Sequence, residues 1–156
     1  MPQFKTSKEM FHECETKGFF DFQHDTDIMK IKHMLSIALG DEKSGQQLMT
    51  LPKQTIEWST IYKLHYDALH QLVEAFLRFD NVKSNNHQCL FAYLCEKHSE
   101  LDLDWRFFEK IRTKRNGIQY YGTPTTQQDW KEIETQTKLY ITTFKKLVEQ
   151  KLEKQP

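Results

Sequence analysis

Apolar residues recur along this chain at intervals of three and four, the spacing of one face of an α-helix. A strand-like alternation of apolar and polar positions does not appear. Thr6-Ser7-Lys8-Glu9 has the form of a capping box and predicts a short helix to about Lys17, closed near Gly18. The segment FFDFQHDTD is aromatic but turn-like. Asp25 or Asp27 can cap a second helix, in which Ile28, Ile31, Leu35 and Leu39 share a face, ending at Gly40. DEKSGQQLMTLPK then reads as a loop. The strongest pattern spans about Thr55 to Phe79, where Ile61, Leu64, His65, Ala68, Leu69, Leu72, Val73, Phe76 and Leu77 make a surface too wide for one neighbour. This predicts a central helix. Asp80-Asn81 ends it. Ser84, Asn85 or Asn86 can cap a helix from His87 to Lys97, and Asp102 or Asp104 the one after it. The last helix, Pro124 to about Leu152, with Thr123 as its cap, carries Trp130, Ile133, Tyr140, Ile141, Phe144, Leu147 and Val148 on one face. Short connections between the last helices favour antiparallel neighbours in an all-α, up-and-down bundle. The expected organisation is a single domain over 1–156, with an N-terminal helical extension (1–54) and a core bundle (55–153).

The helix before the last, WRFFEKIRTKRNGIQYYG, breaks its own pattern. At about 100° per residue, Trp105, Phe108, Ile111 and Ile118 form an apolar stripe, and Arg115 falls in the middle of it. Arg112 and Gln119 sit beside the stripe, with Asn116 and Tyr120 one turn apart on its edge. A guanidinium placed there needs partners, because an unpaired buried charge is costly. Either Arg115 is locked in a structural ion pair, with Asp67 or Glu74 on the central helix as the obvious acids, or it lines a polar cleft between helices or subunits. Gly122 suits a left-handed terminus for this helix.

Composition narrows the function classes. The chain has 156 residues, enough for one cored domain, and few Gly (5) and Pro (4), as long helices prefer. Formal net charge is zero, so binding to an anionic polymer has to come from a local patch rather than a global field. Such a patch is offered by Lys110, Arg112, Lys114 and Arg115 with Tyr120 and Tyr121 close in sequence, although Lys110 and Lys114 point away from Arg115 around the helix. Cys14, Cys89 and Cys95 suggest no disulfide framework and hence a reducing cytoplasm. There is no membrane-spanning run, no secretory core in the opening residues, no glycine-rich phosphate loop and no GxSxG. Seven His include Cys95/His98 and His65/His70 on single helices, but no metal-ligand spacing emerges, so neither a metal nor a cofactor is expected. His87 stands at a helix start, where the dipole favours a neutral imidazole.

Arg115-Asn116 followed by Tyr120-Tyr121-Gly122, late in a small helical chain, resembles the motif helix of the HEPN domain family. That family's hallmark is an Arg, often followed by Asn, then a few residues and a His. The resemblance extends over about residues 55 to 150, and it implies a bundle of four or five helices. Many members are metal-independent RNases, and many are toxins paired with minimal nucleotidyltransferases. Carried onto this chain, Arg115 would hold a phosphate, Asn116 would orient it, and Tyr120, standing where the family has His, would donate a hydrogen bond or proton. Arg112, Lys114, Tyr121 and His87 are the candidate RNA-contacting residues, His87 also replacing the missing His if the fold brings it near Arg115. A Tyr that some members present for modification by their partner would fall here at Gly122. The resemblance further implies a homodimer whose motif helices meet across a two-fold axis. The function expected is RNA or nucleotide binding, with metal-independent RNA cleavage in a toxin–antitoxin pair. The alternative is a non-catalytic module that binds a nucleotide or docks a nucleotidyltransferase.

Overall fold

The computed structural model describes residues 5–156. Six helices account for most of them: α1 (Ser7–Thr16), α2 (Ile28–Leu48), α3 (Trp58–Arg78), α4 (His87–Lys97), α5 (Trp105–Tyr121) and α6 (Gln127–Glu153). Two-residue strands β1 (Asp21–Phe22) and β2 (Val82–Lys83) pair antiparallel, Asp21 opposite Lys83 and Phe22 opposite Val82. The turn-like aromatic segment thus supplies β1. Single 3₁₀ turns lie at Lys53–Thr55 and Ser99–Leu101. The all-α bundle expected from the periodicity is the architecture observed.

α3 is the axis of the bundle. Ile61, Tyr62, Leu69, Leu72, Val73, Phe76 and Leu77 are buried around its circumference, and it packs against α2, α4, α5 and α6. Each such side chain contributes about 1.5–3 kcal/mol when fully buried. α2 adds Ile31, Met34 and Ala38 to the same core, α4 adds Leu90, Phe91 and Leu94, α5 adds Phe107, Phe108 and Ile111, and α6 adds Trp130, Ile133, Ile141, Phe144 and Val148.

Three expectations are corrected. α2 does not end at Gly40 but continues through DEKSGQQL to Leu48. Packing against α3 overrides two glycines here. A Cβ on Gly45 would stand 2.6 Å from Cε1 of the buried His65, so the missing side chain is what lets the two helices approach. Pro52 then prevents further propagation. α6 begins at Gln127, not Pro124: Thr126 is the cap and forms a reciprocal capping box with Asp129, satisfying two otherwise orphan amides. Finally, Cys14 and Cys89 are joined by a disulfide, Cα–Cα 5.7 Å, which ties α1 to the first turn of α4. The two lie 75 residues apart in sequence, and only the packing of α1 on α4 brings them together. The reason given above for a reducing compartment goes with it. Cys95 is free and half-buried. No helix among the described residues is long and apolar enough to cross a membrane.

Candidate functional site

α5 is anchored at one end and projects at the other. Asp104 caps its start, and Phe107, Phe108, Glu109 and Ile111 bury its first half. Beyond Ile111 burial fades, until Tyr120 and Tyr121 are 68% and 82% exposed. Gly122, at φ 62°, ends it, with the N–H of Gly122 and of Thr123 both donating to the Gly117 carbonyl.

Arg115 reaches from α5 across to α3. Its guanidinium lies over the Tyr66 ring, 5.5 Å from the centroid, and its Nη2 stands 3.7 Å from Asp67 Oδ1. That separation is an ion pair but too long for a hydrogen bond. Arg115 Nε is buried and makes no hydrogen bond among the described residues. Glu74, the other acid expected, is not a partner of Arg115; it lies 3.9 Å from His70 Nε2. Seven residues separate Asp67 from Glu74, two turns that carry Glu74 past the reach of Arg115 along α3. Asp67 is itself pushed above the usual carboxylate range, because burial outweighs the favourable Arg115 charge.

Arg112, one turn earlier, is saturated by comparison. Its Nε and Nη2 donate to the two oxygens of Glu109 at 3.1 and 3.2 Å. Glu109 is only 2% exposed and also accepts from Gln88 Nε2 at 2.8 Å, locking α5 to the start of α4. Bidentate pairing of this kind fixes a guanidinium's plane as well as its place.

The start of α4 supplies the opposite wall. Asn86 caps it, its Oδ1 accepting from the Cys89 N–H at 3.0 Å. His87 follows, stacked on His70 of α3 with ring centroids 3.7 Å apart, and its Nδ1 is 2.9 Å from the Tyr66 hydroxyl. The phenol is the better donor of the two, so O–H donates to Nδ1 and the ring proton resides on Nε2. Burial first, then Arg115 and Arg112, pull His87 down to about 4. Burial drives His70 well below its ordinary value and holds the Tyr66 phenol protonated far above its own. Both imidazoles are therefore neutral at pH 7.

Together these residues enclose a polar groove of about 310 Å³, lined from α4 and the loop before it by Asn85, Asn86, His87 and Gln88, and from α5 by Arg112, Arg115, Asn116 and Tyr120. Arg115, Asn116, Tyr120, Arg112 and His87, singled out by sequence, thus meet in one place. Lys114 does not join them: it faces α6, 3.3 Å from Asp129, and borders another cleft with Lys110, which pairs with Glu132 at 3.5 Å. Tyr121 also lies outside the groove lining. Sequence reasoning missed Tyr66, His70 and Glu109. The first two are four apart on α3, beside Asp67, and Glu109 precedes Arg112 by three, spacings that put each pair on one helix face.

No protein-family model, no curated protein and no solved structure matches this chain. Its function is therefore read from the groove itself.

Proposed function

We propose that the groove between α4 and α5 binds a phosphate group of RNA or of a nucleotide, on a HEPN-like domain. The observation that carries this reading is the contrast between its two guanidiniums. Arg112 is spent on Glu109, whereas the guanidinium of Arg115 has, among the described residues, a carboxylate at 3.7 Å and an aromatic face behind it but no hydrogen bond. Unused planar donors in a polar groove suit a phosphate. The positive end of the α4 dipole and the Nε2–H of His87 add to the same field. Asn116 can orient the anion, and the exposed ring of Tyr120 offers a face for a base.

The test is binding of a labelled single-stranded RNA octamer. Arg115→Ala is expected to weaken it about tenfold or more, the loss typical of a charge-assisted hydrogen bond. Lys110→Ala, on the other side of α5, is expected to leave it unchanged. Equal affinity in wild type and Arg115→Ala would sink the reading.

A second reading, metal-independent cleavage, is favoured by one observation: His87 stands in the groove beside Arg115, supplying the imidazole that position 120 lacks. A bound phosphate offsets the guanidinium charges, which depress His87 less than burial does, and so favours the imidazolium, which would give its proton to the leaving 5′-oxygen while solvent takes the proton of the attacking 2′-hydroxyl. Arg115 would stabilise charge on the phosphorane. Incubation with EDTA should then give 2′,3′-cyclic phosphate ends, lost in His87→Gln and in Arg115→Ala but retained in Tyr120→Phe. Intact RNA after prolonged incubation with folded protein leaves the non-catalytic module, including one that docks a minimal nucleotidyltransferase. A homodimer fits either reading, since the exposed Tyr121, outside the groove lining, offers apolar area at the projecting end of α5; sedimentation velocity decides it.

A further inference from the structure

A second cleft, of about 460 Å³, lies on the other side of the loop that carries Asn85 and Asn86. Those two residues line both clefts, so the loop is a ridge shared by two neighbouring sites. The far side is walled by Phe19, Asp21, Lys83 and Ser84. Phe19 is 42% exposed although it is a large apolar ring. Among the described residues Lys83 pairs with Asp21 alone, an exposed contact at 3.5 Å that is worth little in water and easily exchanged for a phosphate. Each cleft therefore combines an exposed aromatic with a cation, Tyr120 with Arg115 on one side and Phe19 with Lys83 on the other, and the asparagines sit between. Alternation of ring faces, cations and amides along a path is the composition that holds single-stranded nucleic acid, with bases stacked and phosphates tracked.

The ridge is held firmly. Ser84 is buried and its Oγ accepts from the Asn86 N–H at 3.2 Å. Asn86 caps α4 through the Cys89 N–H, Cys89 is bonded to Cys14, and the Cys14 carbonyl accepts from the Phe19 N–H at 2.9 Å. A short chain of covalent and hydrogen bonds thus fixes Phe19 relative to the first cleft. β1–β2 pairing fixes Lys83 relative to Asp21 in the same way.

We infer that the second cleft is a subsite for the adjoining nucleotides of a single-stranded RNA, with Phe19 as the stacking platform and Lys83 on a neighbouring phosphate. The inference rests on the reading above that the first cleft takes a phosphate. It deepens that reading by selecting a polymer over a free nucleotide.

The test compares two fluorescently labelled probes, uridylyl-uridine, with one internal phosphodiester, and an oligouridylate octamer. Wild type is expected to bind the octamer more tightly. Phe19→Ala should weaken octamer binding about fivefold or more, as loss of one stacking face does, and leave the dinucleotide unchanged. Phe19→Tyr should restore the octamer affinity, whereas Phe19→Leu, apolar but without a ring, should not. Arg115→Ala should weaken both probes. Because Phe19 is exposed, thermal melts of its variants should overlay wild type. If Phe19→Ala binds the octamer like wild type while Arg115→Ala does not, the subsite is wrong and the phosphate site stands. The subsite is equally overturned if the two probes bind wild type alike. If neither probe binds wild type, or Arg115→Ala matches it with both, the phosphate site falls and takes the subsite with it.

Discussion

Arg115 and Arg112 show how position along one helix gives two chemically identical side chains different partners, a loose ion pair over an aromatic face for one and a bidentate carboxylate for the other. Arg112 falls one turn after Glu109 and is consumed by it, while Arg115 overhangs the rim of α3, where Tyr66 offers a face and Asp67 only a distant oxygen. His87 is the residue whose chemistry is most changed by its surroundings. Its pKa is about 4 in the folded protein against an ordinary 6.5, so the unfolded chain binds the proton that the folded one refuses. Its contribution to stability is complete above pH 6.5 and is lost as pH falls toward 4. His70 acts in the same sense, and the raised carboxyls of Asp67 and Glu74 in the opposite one. The His87 share is therefore read as the difference between urea midpoints of wild type and His87→Gln across that range. If the two curves run parallel, His87 is not held neutral. Imidazole resonances should also show His87 titrating at higher pH when a dinucleotide is bound, because the phosphate offsets Arg115 and Arg112.

At the scale of elements, the glycines of α2 separate propensity from packing. Gly40 has open space around its Cα and Gly45 has none, His65 standing 2.6 Å from where a Cβ would be. Gly40→Ala should stabilise the protein by about 0.5–1 kcal/mol through helix propensity alone. Gly45→Ala should destabilise it by about 1–3 kcal/mol, since His65 is buried and its ring would have to move. Chemical denaturation of both variants checks the pair; like signs would mean that α2 and α3 are not in close approach at Gly45. The same contrast explains why the sequence pattern ends α2 too early: a local rule that stops helices at glycine is right about propensity and blind to a neighbouring helix.

Across the whole molecule, the disulfide closes a loop of 75 residues and links the N-terminal helix to the groove. Restricting the unfolded chain to that extent is worth ~2–4 kcal/mol. Reduction, or Cys14→Ser with Cys89→Ser, should lower the urea midpoint accordingly, while Cys95→Ser should not. An unchanged midpoint on reduction would mean that the two cysteines are not bonded in solution. Since both are fully buried, the bond should resist mild reductant until the protein begins to unfold.

The features legible in the chain alone are periodic or local. Apolar spacing specifies six helices and the central place of α3, because burial along a helix repeats with the helix. Thr6, Asp27, Asn86 and Asp104 cap as their side chains allow, and Gly122 ends α5, because caps act within one turn. The odd placement of Arg115 on an apolar stripe marks the groove for the same reason. Tertiary structure decides what depends on residues far apart in the chain: that Asp67 rather than Glu74 faces Arg115, that Lys114 turns to Asp129, and that Cys14 meets Cys89. It also places His87 against Tyr66 and His70, beside two guanidiniums, where burial and charge keep it neutral. No spacing in the sequence encodes that encounter; it follows from the way α4 and α5 close on α3.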